Sequence, residues 1–242
     1  MTYTDRLEKK FLIDYALYSK ILAFIEPFIE PDRFVGEQGT YLVNSLYFDT
    51  VDDKFYWEKL DGERVRKKVR IRSYHDTKTL KPTQTILEIK KKVDSNVFKE
   101  KISMPFDDAF NLIKNPHTQS IAAKVSAKEK QAIDDVLYLN YKYDIRPRVM
   151  VSYERKAFHD KYNSSTRITF DFNIKYRTAD LEIESIDMEN YVLAPNLIVM
   201  ELKYKKFVPI WAVWMIRKFN LSLTTISKYC MAVNKLKHPA DF

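Results

Sequence analysis

Apolar and polar residues alternate along much of this chain with the two-residue period of a β-strand. In residues 66–74, Lys68, Arg70 and Arg72 point to one side, while Val69 and Ile71 point to the other. Seven other stretches show the same period. The pattern therefore predicts eight strands, at residues 6–14, 41–49, 66–74, 84–93, 97–104, 146–159, 167–175 and 197–205.

Apolar residues with helical spacing lie between and after these strands. Asp14 is suited to cap a helix whose apolar residues recur at Leu17, Ile21 and Ile25. Further helices are predicted at residues 52–60, 106–114, 128–141, 211–219 and 227–237. Residues 106–142 form a helical insertion too short for a core of its own, and the acidic stretch 180–195 is expected to contain some helix or a short edge strand. We predict a single domain over residues 1–242.

The predicted strands carry apolar residues on one face and charged residues on the other. Residues 167–175 alternate most strictly, with Arg167, Thr169 and Asp171 opposite Ile168 and Phe170. An antiparallel sheet of eight strands can close into a barrel, which removes its edges. We predict an α+β fold, an eight-stranded antiparallel β-barrel with helices packed outside and at the C-terminus. The charged faces would then line a tunnel.

Composition excludes several kinds of site. The chain has 242 residues, and its three glycines are too few for a P-loop or a dinucleotide-binding fingerprint. Its single cysteine excludes a zinc site built from cysteines. Its net charge of +8 and pI near 9.2 indicate an anionic partner. The sequence has neither a signal peptide nor an apolar run long enough to span a membrane, so we expect a cytoplasmic location.

The predicted tunnel lining is rich in basic side chains with glutamates among them. The basic positions on this face are Arg6, Lys10, Lys68, Arg70, Arg72, Lys90, Lys92, Lys99, Lys101, Arg167 and Lys203. Arginine and lysine at this density suit a chain of phosphates. Glu8, Glu88 and Glu201 would oppose that binding unless they hold Mg²⁺ or Mn²⁺, which bridges phosphate oxygens. The alternative is an ordinary solvated strand face whose ion pairs contribute little.

Short motifs in a fixed order give the chain a family resemblance. They are RLEKKF at 6–11, LYFDT at 46–50, VRIRSY at 69–74, LEIK at 87–90, YERKAF at 153–158, RITFD at 167–171, MELK at 200–203 and SKY at 227–229. Each motif is weak alone, but the ordered set runs over nearly the whole chain. It resembles the VTC domain, the polyphosphate polymerase domain of the vacuolar transporter chaperone complex, within the triphosphate tunnel metalloenzyme (CYTH-like) superfamily.

The resemblance implies ATP as phosphoryl donor, a growing polyphosphate chain as acceptor, and Mn²⁺ or Mg²⁺. The residues it places in the catalytic set are Lys10, Arg70, Arg72, Lys90, Arg155, Lys203 and Lys228. Substrate binding is expected from Arg6, Tyr47, Lys68, Tyr153, Arg167 and Ser227, with Lys99 or Lys101 supplying the contact of the fifth strand. Glu201 is the expected main metal ligand, together with Glu8 and Glu88.

Three positions depart from the family pattern. Arg6 stands where the wider superfamily has a glutamate, which favours the polymerase branch over triphosphatases and adenylate cyclases. Thr225 stands where a lysine is expected, so one phosphate contact is missing. Arg155 falls on the same face as Val149 and Val151, so alternation alone does not place it in the charged lining unless a bulge intervenes.

These observations favour a phosphotransferase that makes polyphosphate from ATP. If water replaces the phosphate acceptor, nearly the same site gives a triphosphatase. A third hypothesis is a non-catalytic module that binds polyphosphate. Nucleic acid is not the expected partner, because the aromatic residues lie mostly on the face opposite the lysines. No SPX-like domain or membrane span is expected, so any attachment to a membrane would need a membrane-protein partner.

Overall fold

Eight long strands form the framework of the computed structural model, which describes residues 2–3, 6–32, 39–75, 81–115, 126–183 and 190–238. They are β2 (Arg6–Asp14), β4 (Tyr41–Asp49), β5 (Val65–His75), β6 (Pro82–Val93), β7 (Asn96–Ser103), β8 (Arg146–Asp160), β9 (Arg167–Arg177) and β11 (Leu197–Lys205). Three short strands complete the set, β1 (Thr2–Tyr3), β3 (Ile29–Pro31) and β10 (Asn190–Tyr191). All eight predicted strands are confirmed.

The strands belong to one antiparallel sheet. Its hydrogen-bonded order is β1-β7-β6-β5-β4-β8-β9-β11-β2, with β3 on β8 and β10 on β9. The sheet curls into a half-barrel, which confirms the predicted α+β fold with an eight-stranded antiparallel sheet. Within the described ranges, no strand pairing joins β2 to β7, so the hydrogen-bonded ladder is open at that seam.

In the described residues, six α-helices connect or follow the strands. They are α1 (Tyr15–Ile25), α2 (Lys54–Leu60), α3 (Phe106–Lys114), α4 (Ala127–Tyr143), α5 (Ile210–Lys218) and α6 (Lys228–Lys237). Asp14 caps α1 as predicted, since its carboxylate accepts a hydrogen bond from the Leu17 N–H at 2.7 Å. Helices α3 and α4 are the predicted insertion. Its middle, 116–125, and residues 184–189 of the acidic stretch lie outside the described residues, while β10 is the short edge strand expected there.

Two helix pairs cover the convex face of the sheet. Helices α3 and α4 pack on β5, β6 and β7, where Ile71 and Leu87 share a buried cluster with Ile133. Helices α1 and α5 pack on β2, β9 and β11, where Phe11 and Met200 are buried in a second cluster. Because these helices bury the apolar residues from outside, the alternating charged residues are left on the concave face, as predicted.

Helix α6 lies on the concave side instead. Its Tyr229 and Val233 are buried in one cluster with Val149 and Val151 of β8. This explains the position of Arg155, because the concave face of β8 is apolar where α6 covers it and charged beyond. The register between β8 and β4 is regular from Val149 to Arg155, so Arg155 lies on the same strand face as Val149 and Val151. That face lines the groove, and no bulge in β8 is needed to place Arg155 there.

A bulge does occur in β9, where the sequence predicted strict alternation. Asn173 has a left-handed backbone with φ of 49°, and the register against β8 shifts between Ser152 and Glu154. Asparagine tolerates this conformation better than most residues. As a result Phe172 packs on the convex side, whereas Ile174 joins the cluster under α6. The predicted alternation is therefore wrong beyond Asn173, and it is correct in the half of the strand that borders the site.

None of the described helices is both long enough and apolar enough to cross a membrane.

Candidate functional site

The concave face carries two groups of basic side chains, each built around a buried glutamate. We call this face the basic groove. It is bordered by β5, β6 and β7 on one side, by β2, β9 and β11 on the other, and by the start of α6. The groups are described below as the Glu88 cluster and the Glu201 cluster.

The Glu88 cluster joins β5, β6 and β7. The carboxylate of Glu88 is 1% exposed, and the Arg70 Nε donates to it at 2.5 Å. Lys99 and Lys101 place their Nζ atoms 3.0 and 3.4 Å from the same carboxylate, and Arg72 lies 4.0 Å away. The sequence left open which of the two lysines lines the groove, and the structure places both there, with Lys99 the more buried.

The opposing charges in this cluster shift several pKa values. Burial opposes ionisation of Glu88, but Arg70 and its neighbours outweigh it and hold the pKa well below its usual range. Burial lowers the pKa of Lys99 to about 7, against the attraction of Glu88. Tyr47 accepts a hydrogen bond from Arg70 Nη1 at 3.0 Å, and the surrounding cations overcome its burial to lower its pKa to about 8.

The Glu201 cluster joins β2, β8, β11 and α6. Lys203, Lys228 and Lys10 place their Nζ atoms 3.1, 3.3 and 3.5 Å from the Glu201 carboxylate, and Arg155 lies 3.8 Å away. Burial opposes ionisation of Glu201, yet these cations hold its pKa well below the usual range. Sequence analysis placed all five residues in the site, and the structure brings them together from four separate elements.

Asp171 is a member of this cluster that sequence analysis did not assign. It is fully buried and accepts two hydrogen bonds from Arg155, at 2.5 and 2.7 Å. The ammonium of Lys228 lies 2.5 Å from the same carboxylate. The sequence signal that could have identified Asp171 is its position in the RITFD motif, on the same strand face as Arg167. Asp171 fixes the orientation of two basic groups that are expected to contact phosphate.

Glu8 and Glu201 form the carboxylate pair that best fits a divalent cation. They lie on adjacent strands and share Lys10 and Lys203 as ion-pair partners. Burial and the charge of Glu201 oppose ionisation of Glu8, but Lys10 and Lys203 outweigh them, so its pKa is lowered and the carboxylate is charged at neutral pH. Mg²⁺ commonly binds through one or two carboxylates while phosphates and waters complete its shell.

Other carboxylates fit a metal less well. Glu88 is enclosed by four cationic side chains and is 1% exposed, which suits a counter-charge for the arginines. In the part of the chain that the structure describes, no group of three or more His, Cys, Asp or Glu side chains is arranged to hold an ion by itself. A cation at Glu8 and Glu201 would therefore need phosphate oxygens as further ligands.

The start of α6 completes the groove. Ser227 caps the helix, since its Oγ accepts from the Cys230 N–H at 3.3 Å, and the same oxygen accepts from Lys68 Nζ at 2.7 Å. Lys10 donates to the Ile226 carbonyl at 3.0 Å. Tyr153 lies below Lys228, with its ring centroid 4.8 Å from the ammonium. The predicted pair Ser227 and Lys228 is thus held against the side chains of β2 and β5.

The other predicted residues lie toward the rims. Arg167 donates to Tyr41 at 2.9 Å and lies 2.6 Å from Asp32, while Arg6 is exposed at the start of β2. Although the Lys90 side chain reaches solvent, the walls of the groove partly desolvate its ammonium, and this desolvation together with nearby cations lowers its pKa to about 8. Lys92, one of the basic lining positions, lies on the same strand face as Lys90. Its backbone register partner is Arg66, near the start of β5.

Two surface hollows lie near the sheet. Thr225, Glu8 and Lys10 border one of about 310 Å³. A larger one, of about 1030 Å³, lies between β6, β7, α3 and residues 181–183, and none of the predicted site residues lines it. The charged chemistry is therefore in the groove and not in the larger of these two hollows.

Helix α6 is anchored by a second network at its outer side. Tyr229 donates a short hydrogen bond to Asp49, which also accepts from the N–H groups of Phe55 and Tyr56 at 2.8 and 3.0 Å. Asp53 binds Lys237 at 2.8 Å near the other end of α6. These contacts place the residues before and after Tyr229, so they set the depth at which Lys228 enters the groove.

We expect Tyr229→Phe to lower the free energy of unfolding by about 2 kcal/mol, because a hydrogen bond to a buried charged group is lost. Tyr56→Phe is the matched control. Its hydroxyl hydrogen-bonds to the neutral Asn234 side chain at 3.2 Å in the same interface, and its loss should cost about 0.5–1 kcal/mol. Urea denaturation of both variants measures the difference. Equal losses would show that Asp49 does not anchor α6 through Tyr229.

Comparison with known proteins gives one family and a shared fold. The sequence profile of the family described as "VTC domain" matches residues 5–237. No curated protein matches the chain significantly. A putative adenylate cyclase from Bacillus halodurans superposes with a TM-score of 0.56 at 13% identity, over 94% of this chain and 96% of that one.

A second solved structure is a putative adenylyl cyclase from Hippeastrum, described as having a dominant triphosphatase activity. It superposes with a TM-score of 0.52 at 12% identity, over 95% of each chain. At such identities the two likenesses concern the fold alone.

Proposed function

Because this chain belongs to the VTC domain family, we propose that it is a metal-dependent polyphosphate polymerase, which transfers the γ-phosphate of ATP to a growing polyphosphate chain in the basic groove. The observation that carries the proposal is the charge state of the groove. Its buried carboxylates Glu88, Asp171 and Glu201 are each held by several cations, and their pKa values are lowered.

A carboxylate with a lowered pKa is a weak base, so none of the three is suited to take a proton from water. A terminal phosphate that attacks ATP is already an anion and needs no such base. Lys99, with a pKa of about 7, is neutral in part when the groove is empty, but a bound phosphate would favour its protonated form. The site is therefore better suited to phosphate than to water as the acceptor.

The length of the basic track also favours a chain as substrate. Lys68, Arg70 and Arg72 follow one another along β5, about 6.5–7 Å apart. Lys90 continues the track on β6, and Lys99 and Lys101 on β7. The Glu201 cluster faces them from the other wall. Two basic walls can hold the donor and acceptor phosphates at once, which is the positioning that phosphoryl transfer mainly requires.

In this proposal Lys10, Arg155, Lys203 and Lys228 bind the phosphates on one wall, and Arg70, Arg72, Lys90 and Lys99 bind those on the other. Glu201 and Glu8 would hold Mg²⁺ or Mn²⁺, which when bound neutralises charge on the phosphoryl oxygens. The arginines spread charge over paired oxygens, and the lysines act as point charges. Tyr47 and Tyr153 orient Arg70 and Lys228 through the contacts already described, and Ser227 holds Lys68 by its hydrogen bond.

A triphosphatase is the second candidate function. The observation that favours it is the shared fold with the Hippeastrum protein described as having a dominant triphosphatase activity. The same walls could hold one triphosphate while water attacks its terminal phosphorus. The two functions differ in the acceptor and therefore in their products.

The ratio of products distinguishes them. With ATP and Mg²⁺ or Mn²⁺, a polymerase releases ADP with little orthophosphate, and added polyphosphate should increase the rate of ADP release. A triphosphatase releases one orthophosphate for each ADP, and from tripolyphosphate it releases one orthophosphate and one pyrophosphate. Stoichiometric orthophosphate without any polymer would reject the polymerase proposal.

We expect the affinity for tripolyphosphate to fall as the pH rises from about 7 to 9. In the empty groove Lys99, with a pKa of about 7, loses its proton over this range. Binding of the anionic ligand is then coupled to the uptake of a proton by Lys99, and the affinity falls as protons become scarcer. The ligand's own titration contributes equally to the wild type and to a variant of Lys99, so it cancels when the two affinity profiles are compared.

The same lowered pKa has the opposite effect on the free protein. Unfolding lets Lys99 take up a proton between about pH 7 and its ordinary value of 10.5, so stability rises with pH while affinity falls. Titration calorimetry of the chain and of Lys99→Arg, which stays protonated, measures the affinity profile. A profile that is equally steep in both proteins would contradict the role of Lys99.

A further inference from the structure

Three apolar side chains protrude from the protein at the start of α5. Phe207, Ile210 and Trp214 are 82%, 61% and 51% exposed. Ile210 and Trp214 are one helical turn apart and share a face, while Trp211 and Met215 point into the core between β2, β9 and β11. The exposed residues thus add little to the core, and their contact with water is unfavourable.

Basic residues lie at both ends of this apolar surface. Lys206 directly precedes Phe207, and Arg217 and Lys218 occupy the last turn of α5, all exposed. The sequence contains no aspartate or glutamate from residue 202 to residue 240. We call the six residues Phe207, Ile210, Trp214, Lys206, Arg217 and Lys218 the α5 strip.

We propose that the α5 strip docks the protein on the surface of an anionic lipid bilayer. Tryptophan and phenylalanine are favoured at the boundary between headgroups and acyl chains, and Ile210 adds apolar area at the same level. Lysine and arginine beside them are attracted to the negative surface potential, and each contributes about fivefold in binding to an anionic membrane. The combination of protruding aromatic residues with basic neighbours fits this chemistry.

Other occupants fit the α5 strip less well. A second copy bound through the same surface would bring two positive strips together, which is unfavourable. A protein partner would need a hollow of its own that receives all three protruding side chains at once. A membrane accepts protruding side chains without needing a complementary shape.

The α5 strip lies away from the groove. Helix α5 covers the convex face of the sheet, whereas the phosphate-binding residues line the concave face. A docked protein would therefore keep its groove accessible. The inference does not depend on whether the groove makes polyphosphate, hydrolyses triphosphate or only binds it.

Vesicle co-sedimentation tests the proposal with the full chain. Vesicles of phosphatidylcholine alone are compared with vesicles that also contain phosphatidylglycerol, with tripolyphosphate present to occupy the groove. The test variant is Phe207→Ser, Ile210→Ser, Trp214→Ser. The matched control is Tyr138→Ser, Tyr141→Ser on α4, where the two rings are 56% and 91% exposed. All five positions are exposed, so both variants are expected to fold.

We expect binding only to the vesicles with phosphatidylglycerol, at least a tenfold loss in the test variant and no change in the control. Trp214 emission should shift to the blue on binding, and Trp214→Phe should remove that shift while Trp57→Phe should not. Three outcomes would overturn the proposal: no vesicle binding by the wild-type chain, equal binding by the test variant, or binding that occurs only in samples prepared without tripolyphosphate.

Discussion

Glu201→Gln is expected to lower kcat/KM for ATP-dependent phosphoryl transfer by about 10²–10³-fold, equivalent to about 3–4 kcal/mol of transition-state stabilisation. Glu201 is the buried carboxylate that faces Lys10, Lys203, Lys228 and Arg155. The amide is nearly isosteric but carries no charge, so it is a poor ligand for a divalent cation. The cations around it would remain and would lose one competitor for phosphate.

Polyphosphate binding should therefore survive in Glu201→Gln, and without metal it should be as tight as in the wild type or tighter. If Glu201 had only a structural role, its replacement would weaken polyphosphate binding and turnover together, so loss of turnover with retained binding indicates the metal role. The matched control is Glu58→Gln in α2. Glu58 is also buried, 1% exposed against 5% for Glu201, and its carboxylate binds Lys67 at 2.9 Å, but it lies outside the groove. Turnover should persist in the control, and unchanged turnover in Glu201→Gln would refute the metal role.

Arg155→Met is expected to destabilise the fold by about 3–5 kcal/mol and to abolish turnover. The guanidinium and the Asp171 carboxylate form a bidentate pair, and both are almost completely buried. Removal of Arg155 leaves Asp171 with Lys228 as its remaining cationic partner, and an incompletely compensated buried charge is costly. Thermal and urea denaturation measure the loss of stability.

The double variant Arg155→Met, Asp171→Leu separates stability from function. A buried ion pair replaced by apolar residues of similar volume is often neutral for stability, so most of the lost stability should return. Turnover should not return, because the phosphate contact of Arg155 is still missing. If the double variant is no more stable than Arg155→Met, the two side chains are not coupled as described. If Arg155→Met keeps normal turnover, Arg155 is not part of the phosphate site.

Strand positions and most side-chain directions could be predicted from sequence because both depend on local alternation. In β5, Lys68 and Arg70 face the groove while Val69 and Ile71 face α3 and α4, so neighbouring residues meet very different surroundings. The period of two then appears directly in the sequence. The same argument placed Glu8, Lys10, Glu201 and Lys203 on one surface.

The position of α6 could not be predicted in this way. The contacts that place it join residues far apart in the chain, Lys10 with Ile226 over 216 positions and Tyr229 with Asp49 over 180. Periodicity carries no information about such separations. Because α6 covers part of the concave face, Val149 and Val151 are apolar on the side that sequence analysis expected to be charged.

Two further features depend on details that alternation does not encode. The bulge at Asn173 reverses the faces in the second half of β9, and asparagine alone is a weak signal for a left-handed residue. The role of Asp171 follows from its contacts with Arg155 and Lys228, which come from β8 and α6. Its residue type gave a candidate carboxylate, and only the assembled fold shows which cations it orients.

The central claim is that the groove transfers phosphate to phosphate, and ³¹P NMR of the products tests it most directly. The purified chain is incubated with ATP and Mg²⁺, or with Mn²⁺ that is chelated before the spectrum is recorded, and Glu201→Gln is the parallel control. The account predicts a resonance of internal chain phosphates that grows together with ADP and is absent in the variant. ADP and orthophosphate alone, with no internal phosphate signal under either metal, would contradict it.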